Sequence, residues 1–115
     1  MIKTGYILFI AEPGGEFQDA DGNTVLIPKV SSEWIECNLN VMRKEYKMFV
    51  DGQYKQVKYA CYVDLSKLRS LTFELTDIHE IQLKDLMEID LGQYQIQSLE
   101  YLNLAKSIKI LVSDD

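Results

Sequence analysis

The chain has 115 residues, 47% of them hydrophobic, with 18 acidic against 12 basic residues for a formal charge of −6. That length suits one domain, and that apolar fraction suits a packed core rather than a disordered chain. The negative balance argues against sequence-independent nucleic-acid binding, which needs Lys and Arg to neutralise phosphates. No charged-then-apolar leader opens the chain, and no apolar run approaches the ~18 residues that cross a bilayer, so a cytosolic protein is expected.

Taken in chain order, an apolar run over residues 3–11 predicts the first strand. Glu12-Pro13-Gly14-Gly15 ends it, because proline lacks an N–H and glycines favour turns. Residues 12–23 carry Glu12, Glu16, Asp19 and Asp21 and no base, which predicts an exposed loop. Asp21-Gly22-Asn23 then turns the chain into a strand over 24–30, where Pro28 points to a sheet edge. Over residues 34–41, Ile35, Cys37, Leu39 and Val41 alternate with Glu36, Asn38 and Asn40. Strand side chains point to opposite faces with period two, so this is a strand with one dry and one wet side.

Alternation returns at Tyr46, Met48 and Val50, and after Asp51-Gly52 it resumes through Val57, Tyr59, Cys61, Val63 and Leu65. A two-residue Asp-Gly link favours a type I′ hairpin. It sets Val50 opposite Gln53, Phe49 opposite Tyr54, Tyr46 opposite Val57 and Glu45 opposite Lys58. Residues 66–70 read as a link or one helical turn, and Leu71, Phe73 and Leu75 predict a strand over 71–76. The stretch 77–90 reads as a strand, a loop around 85–88, and a further strand from Gln93. Residues 98–106 fit a short helix through Leu99, Leu102 and Ala105, or a bent strand and turn. Ile108, Ile110 and Val112 form a closing strand. The sum is an all-β fold, a small antiparallel barrel or sandwich of about six to eight strands with one short helix or helical turn at most, in a single domain over 1–115.

Motifs for chemistry are sparse. Asp19-Ala20-Asp21-Gly22-Asn23 resembles the start of a calcium loop, but Thr24 stands where the sharp-turn glycine belongs and Val30 where the bidentate glutamate belongs. A polar turn is the better reading. His79, the single histidine, lies in a polar stretch with Asp77 and Glu80 and reads as a solvated loop residue rather than a general base. Gly14-Gly15 precedes an acidic segment that would repel phosphate. Cys37 and Cys61 fall on apolar parities and read as buried small hydrophobes rather than a redox pair. No catalytic residue, cofactor or metal ligand is assigned, and a non-enzymatic protein is expected.

Two surface features remain. Arg43, Lys44, Lys47, Lys55 and Lys58 are interleaved with Tyr46, Tyr54, Tyr59 and Tyr62, a pattern by which small five-stranded barrels hold single-stranded nucleic acid. Trp34, Phe49 and Tyr62 fall on the otherwise polar parity of their strands, which makes them candidates for a subunit contact.

Trp34-Ile35-Glu36-Cys37-Asn38, the Asp51-Gly52 hairpin, Tyr59-Ala60-Cys61-Tyr62-Val63-Asp64-Leu65 and a Phe73-containing segment follow one another. Ile81-Gln82-Leu83-Lys84-Asp85, Leu91-Gly92-Gln93-Tyr94-Gln95-Ile96 and Ile108-Lys109-Ile110-Leu111-Val112 complete the order. Over residues 30–112 this resembles the head-closure, or stopper, proteins at the head–tail junction of long-tailed phages and prophages. The resemblance implies a β-barrel that assembles with copies of itself as a ring beneath the portal, and that meets portal or adaptor and tail-completion proteins. It implies passing contact with duplex DNA, and a place in the host cytoplasm and then in the virion. The acidic segment 12–23, through Glu12, Glu16, Asp19 and Asp21, or the stretch 77–90, through Asp85 and Glu88, would then line the DNA channel, because like charge discourages sticking. The alternatives are a small OB-like barrel on single-stranded nucleic acid and an accessory domain of a cell-surface or conjugation apparatus.

Overall fold

The alternating segments form strands that close on themselves. The computed structural model describes residues 2–42, 47–50, 52–78 and 80–114, with the backbone alone for 47–50 and 53–55. The strands are β1 (Gly5–Glu12), β2 (Gly15–Gln18), β3 (Thr24–Ile27), β4 (Val30–Ser31), β5 (Ile35–Val41), β6 (Lys47–Val50), β7 (Gln53–Gln56), β8 (Tyr59–Asp64), β9 (Glu80–Asp85), β10 (Asp90–Leu102) and β11 (Ser107–Ser113). β1, β5, β8, β11, β10 and β9 pair in that order, all antiparallel, and β9 returns to β1 to complete a six-stranded barrel. β4 pairs with β1 on the edge that β5 also uses, since Ile10 faces Ser31 on one side and Glu80 on the other.

The dry parity of each strand fills the barrel. Ile7, Phe9, Ile35, Cys37, Cys61, Val63, Ile81, Leu83, Ile108, Ile110 and Val112 form one buried cluster. β10 contributes Leu91, Tyr94, Ile96 and Leu99, which change parity twice along the strand. Each change coincides with a bulge, one between Asp90 and Gly92 and one between Ile96 and Ser98, where an extra residue flips the facing. The second bulge explains why residues 98–106 do not keep a clean period two; the chain continues as strand to Leu102 and then turns, without a helix.

One strand expected of the barrel does not form. Residues 71–76 are not a strand: bends follow a 3-10 segment over Leu65–Ser70 and precede another over Leu75–Asp77. Both edges of β8 are taken by β5 and β11, and both edges of β9 by β1 and β10, so the intervening chain has no edge to join. It spans the barrel end between those two strands instead. Leu65, Leu68, Leu71, Phe73, Leu75 and Ile78 pack against the core as a plug. The apolar alternation was real, but it serves an end cap.

Strand directions alternate around the barrel, which fixes which connections share an end. Glu12, Ile35, Asp64, Glu80 and Leu102 mark one rim, with the 65–78 plug and the 103–106 turn. Gly5, Val41, Tyr59, Asp85 and Asp90 mark the opposite rim.

Candidate assembly surfaces

Two β-ribbons stand outside the barrel sheet, one on each rim. β2 and β3 pair only with each other, as do β6 and β7. The first ribbon prolongs the β1–β5 hairpin through Ile7↔Ile35, Glu12↔Val30 and Gly15↔Ile27, with a register shift between Ile10 and Glu12. Residues 12–23 are therefore not a plain loop, as their four acids and lack of a base led the sequence to be read. β2 lies inside them, and its partner strand begins at Thr24. Every residue of β2 is exposed, and Phe17, Leu26, Ile27 and Val30 remain 49, 69, 38 and 39% accessible.

The second ribbon prolongs the β5–β8 hairpin at the opposite rim. Val50↔Gln53 and Phe49↔Tyr54 pair as the Asp-Gly link requires. The expected pairs Tyr46–Val57 and Glu45–Lys58 involve positions outside the described residues. At its base Met42 donates its N–H to the Lys58 carbonyl at 3.0 Å. Met42 and Val57 join Ala60, Leu111 and Tyr62 in a small apolar cluster on the barrel's outer surface.

The acidic positions fall into two groups that do not meet. Glu16, Asp19 and Asp21 belong to the first ribbon, with Glu12 at its foot. Asp85 and Glu88 belong to the β9–β10 turn on the other rim. The two turns share one construction. The Asp19 Oδ1 accepts the N–H groups of Asp21 and Asn23 at 3.0 and 2.9 Å, and the Asp85 Oδ1 accepts those of Met87 and Ile89, both at 2.9 Å. The residue in the left-handed region is Gly22 in one (φ 81°) and Glu88 in the other (φ 63°). Asp19 thus spends its carboxylate on backbone donors, as expected of a polar turn. Glu12 likewise accepts the Gly14 N–H at 3.2 Å. Glu16, Asp21 and Glu88 are exposed.

The outward aromatics are separate. Trp34 is half-buried just before β5, with the Lys84 ammonium 4.1 Å from its ring centroid. Tyr62 is half-buried on β8, opposite Asn38 and Lys109, with the Lys109 ammonium 6.0 Å from its ring. Four strand positions separate Trp34 from Asn38, about 13 Å along β5. The Phe49 side chain, Lys47, Tyr54 and Lys55 beyond the backbone, and Arg43, Lys44 and His79 lie outside the described residues. Tyr59 points inward, its ring 5.3 Å from that of Tyr94 in an edge-on contact.

Two clefts of about 440 Å³ flank Asp64, one lined by Asn38, Tyr62, Leu102, Ala105 and Ser107, the other by Leu65, Ser66, Arg69, Ala105 and Lys106. A third, of about 270 Å³, lies at the other rim, between Met42, Lys58, Tyr59, Tyr94 and Asp114. Among the described residues no three His, Cys, Asp or Glu side chains gather as a metal-binding group, and no helix is long and apolar enough to cross a membrane. Cys37 and Cys61 are free thiols in the core. A hydrogen bond to the Cys37 sulfur, and then burial, hold the Cys61 thiol well above its ordinary range.

No family model, curated protein or solved structure matches the chain.

Proposed function

We propose that the chain is a non-enzymatic assembly component of the phage head–tail junction, a head-closure protein that rings the DNA exit beneath the portal and receives the tail. The observation that carries this reading is the pair of ribbons on opposite rims of a closed barrel. Closure removes the free edges by which a sheet would pair with a neighbour. Association is left to the ribbons, and the first of them keeps Phe17 and Leu26 in water. Copies of the chain, portal or adaptor proteins and tail-completion proteins are the partners of such a ring. It would be built in the host cytoplasm and carried in the virion.

Within that reading, acidic side chains at the lumen let duplex DNA slide. Either Glu16 and Asp21 or Glu88 face it, since the two groups occupy different rims. Cutting out residues 77–90 would remove β9 and open the barrel, so charge neutralisation is the usable test. Heads that carry the portal but lack this chain are supplied with wild type, with the pair Glu16→Gln and Asp21→Asn, or with Glu88→Gln. Wild type is expected to protect the packaged genome from nuclease and to support tail docking; heads that hold DNA and dock tails without the chain would reject the proposal. Unchanged retention with every neutralised variant would reject the lumen assignment alone.

Single-stranded nucleic-acid binding draws less support. Tyr59, one of the four tyrosines of the basic and aromatic pattern, packs into the barrel with its ring 5.3 Å from that of Tyr94 and is not presented for stacking on a base. Salt-sensitive retention on single-stranded DNA, lost in a Lys55→Glu, Lys58→Glu variant, would favour it.

A further inference from the structure

The two ribbons carry opposite charge. Residues 12–27 contain Glu12, Glu16, Asp19 and Asp21 and no Lys or Arg. Residues 43–58 contain Arg43, Lys44, Lys47, Lys55 and Lys58 against Glu45 and Asp51. Their feet lie on opposite rims, after Glu12 and after Val41. We propose that the acidic ribbon of one copy lies along the basic ribbon of the next, so that copies join head to tail. This inference rests on the ring assembly proposed above and names the surfaces that build it; it sets Glu16 and Asp21 at the subunit contact and so leaves Glu88 to face the channel.

Three physical points favour a second copy as the occupant. A two-stranded ribbon is marginal in water, and each of these has an unpaired backbone edge that another ribbon can complete. Exposed Phe17, Leu26 and Ile27 on the acidic ribbon would be covered in the same contact. Like ribbons repel, so the contact is between unlike surfaces; that geometry closes rings when the rotation permits and runs on as filaments when it does not.

The test uses the whole chain. Glu16→Lys with Asp21→Lys leaves the acidic ribbon with two acids and two bases and so without net charge, and Lys47→Glu with Lys55→Glu leaves the basic ribbon with four acids against three bases. Asp19, which builds the turn, is left alone, and an unchanged far-ultraviolet spectrum checks that the barrel is retained. Native mass measurement is made on each variant alone, on an equimolar mixture, and on wild type across a salt series. Each variant alone should need at least about tenfold more protein to associate than wild type. The mixture should associate in one-to-one proportion and fall apart as salt rises. A mixture that stays monomeric, or variants that assemble alone as wild type does, overturns the inference. Rings that persist in both variants would reject the ribbons as the contact while leaving the ring itself standing; failure of the ring in the phage is read separately, in the nuclease experiment.

Discussion

Single residues decide three features of this barrel. Glu88 occupies the left-handed position that glycine holds in the matching Asp19 turn, at a cost of roughly 1–2 kcal/mol for a side chain with a Cβ. Glu88→Gly should therefore raise stability by up to about 1 kcal/mol after its own chain-entropy cost, and Gly22→Ala should lower it by a similar amount. Urea midpoints of the two variants check the pair. Gly5 has a different reason to be glycine: a Cβ there would stand 2.7 Å from the Lys84 carbonyl oxygen and 3.1 Å from Leu39. Gly5→Ala should cost roughly 1–3 kcal/mol by forcing β1 from β9.

Titration in the core has a definite sign. The Cys61 thiol keeps its proton in the folded barrel, whereas an unfolded chain loses it near pH ~8.5. Its contribution is thus full below about pH 8.5 and is lost as pH rises toward the folded value. Burial, then the neighbouring Tyr59, pushes Tyr94 up to about 12, which adds a further alkaline loss beginning near the free tyrosine value of about 10. Unfolding midpoints should fall between pH 8 and 11, with a shallower decline in Cys61→Ala whatever that variant's stability at pH 7.

At the scale of elements, the strands with one dry face were legible because burial on one side imposes period two. Residues 35–41 and 59–64 emerged where alternation placed them, and the Asp-Gly link fixed the ribbon register at Phe49–Tyr54. What misled was period two without an available edge. Leu71, Phe73 and Leu75 alternate like a strand, yet barrel closure leaves that segment only the open end to fill. No local signal distinguishes the two outcomes, because pairing partners are set by the rest of the chain. β2 was missed for the opposite reason: an exposed ribbon needs no apolar alternation. The acidic positions were legible as exposed, but their separation onto two rims needed the topology. Phe73→Ala tests the plug. Because the ring is half-buried, the loss should be roughly 2 kcal/mol, below the 3–5 of a fully buried phenylalanine, and a fluorescent apolar dye should then reach the barrel end.

For the whole molecule, extents of 52 × 34 × 28 Å describe a barrel lengthened by its ribbons rather than a sphere. Closure of the six-stranded sheet leaves unpaired strand edges on the projecting ribbons and on the short β4. The central claim is that this chain works as a ring component between phage head and tail. Electron microscopy of phage particles carrying a gold-labelled copy of the chain tests it most directly. The label should sit at the vertex where the tail joins the head, in several copies per particle; label scattered over the capsid or along the tail, or particles that contain none of the chain, would contradict the account.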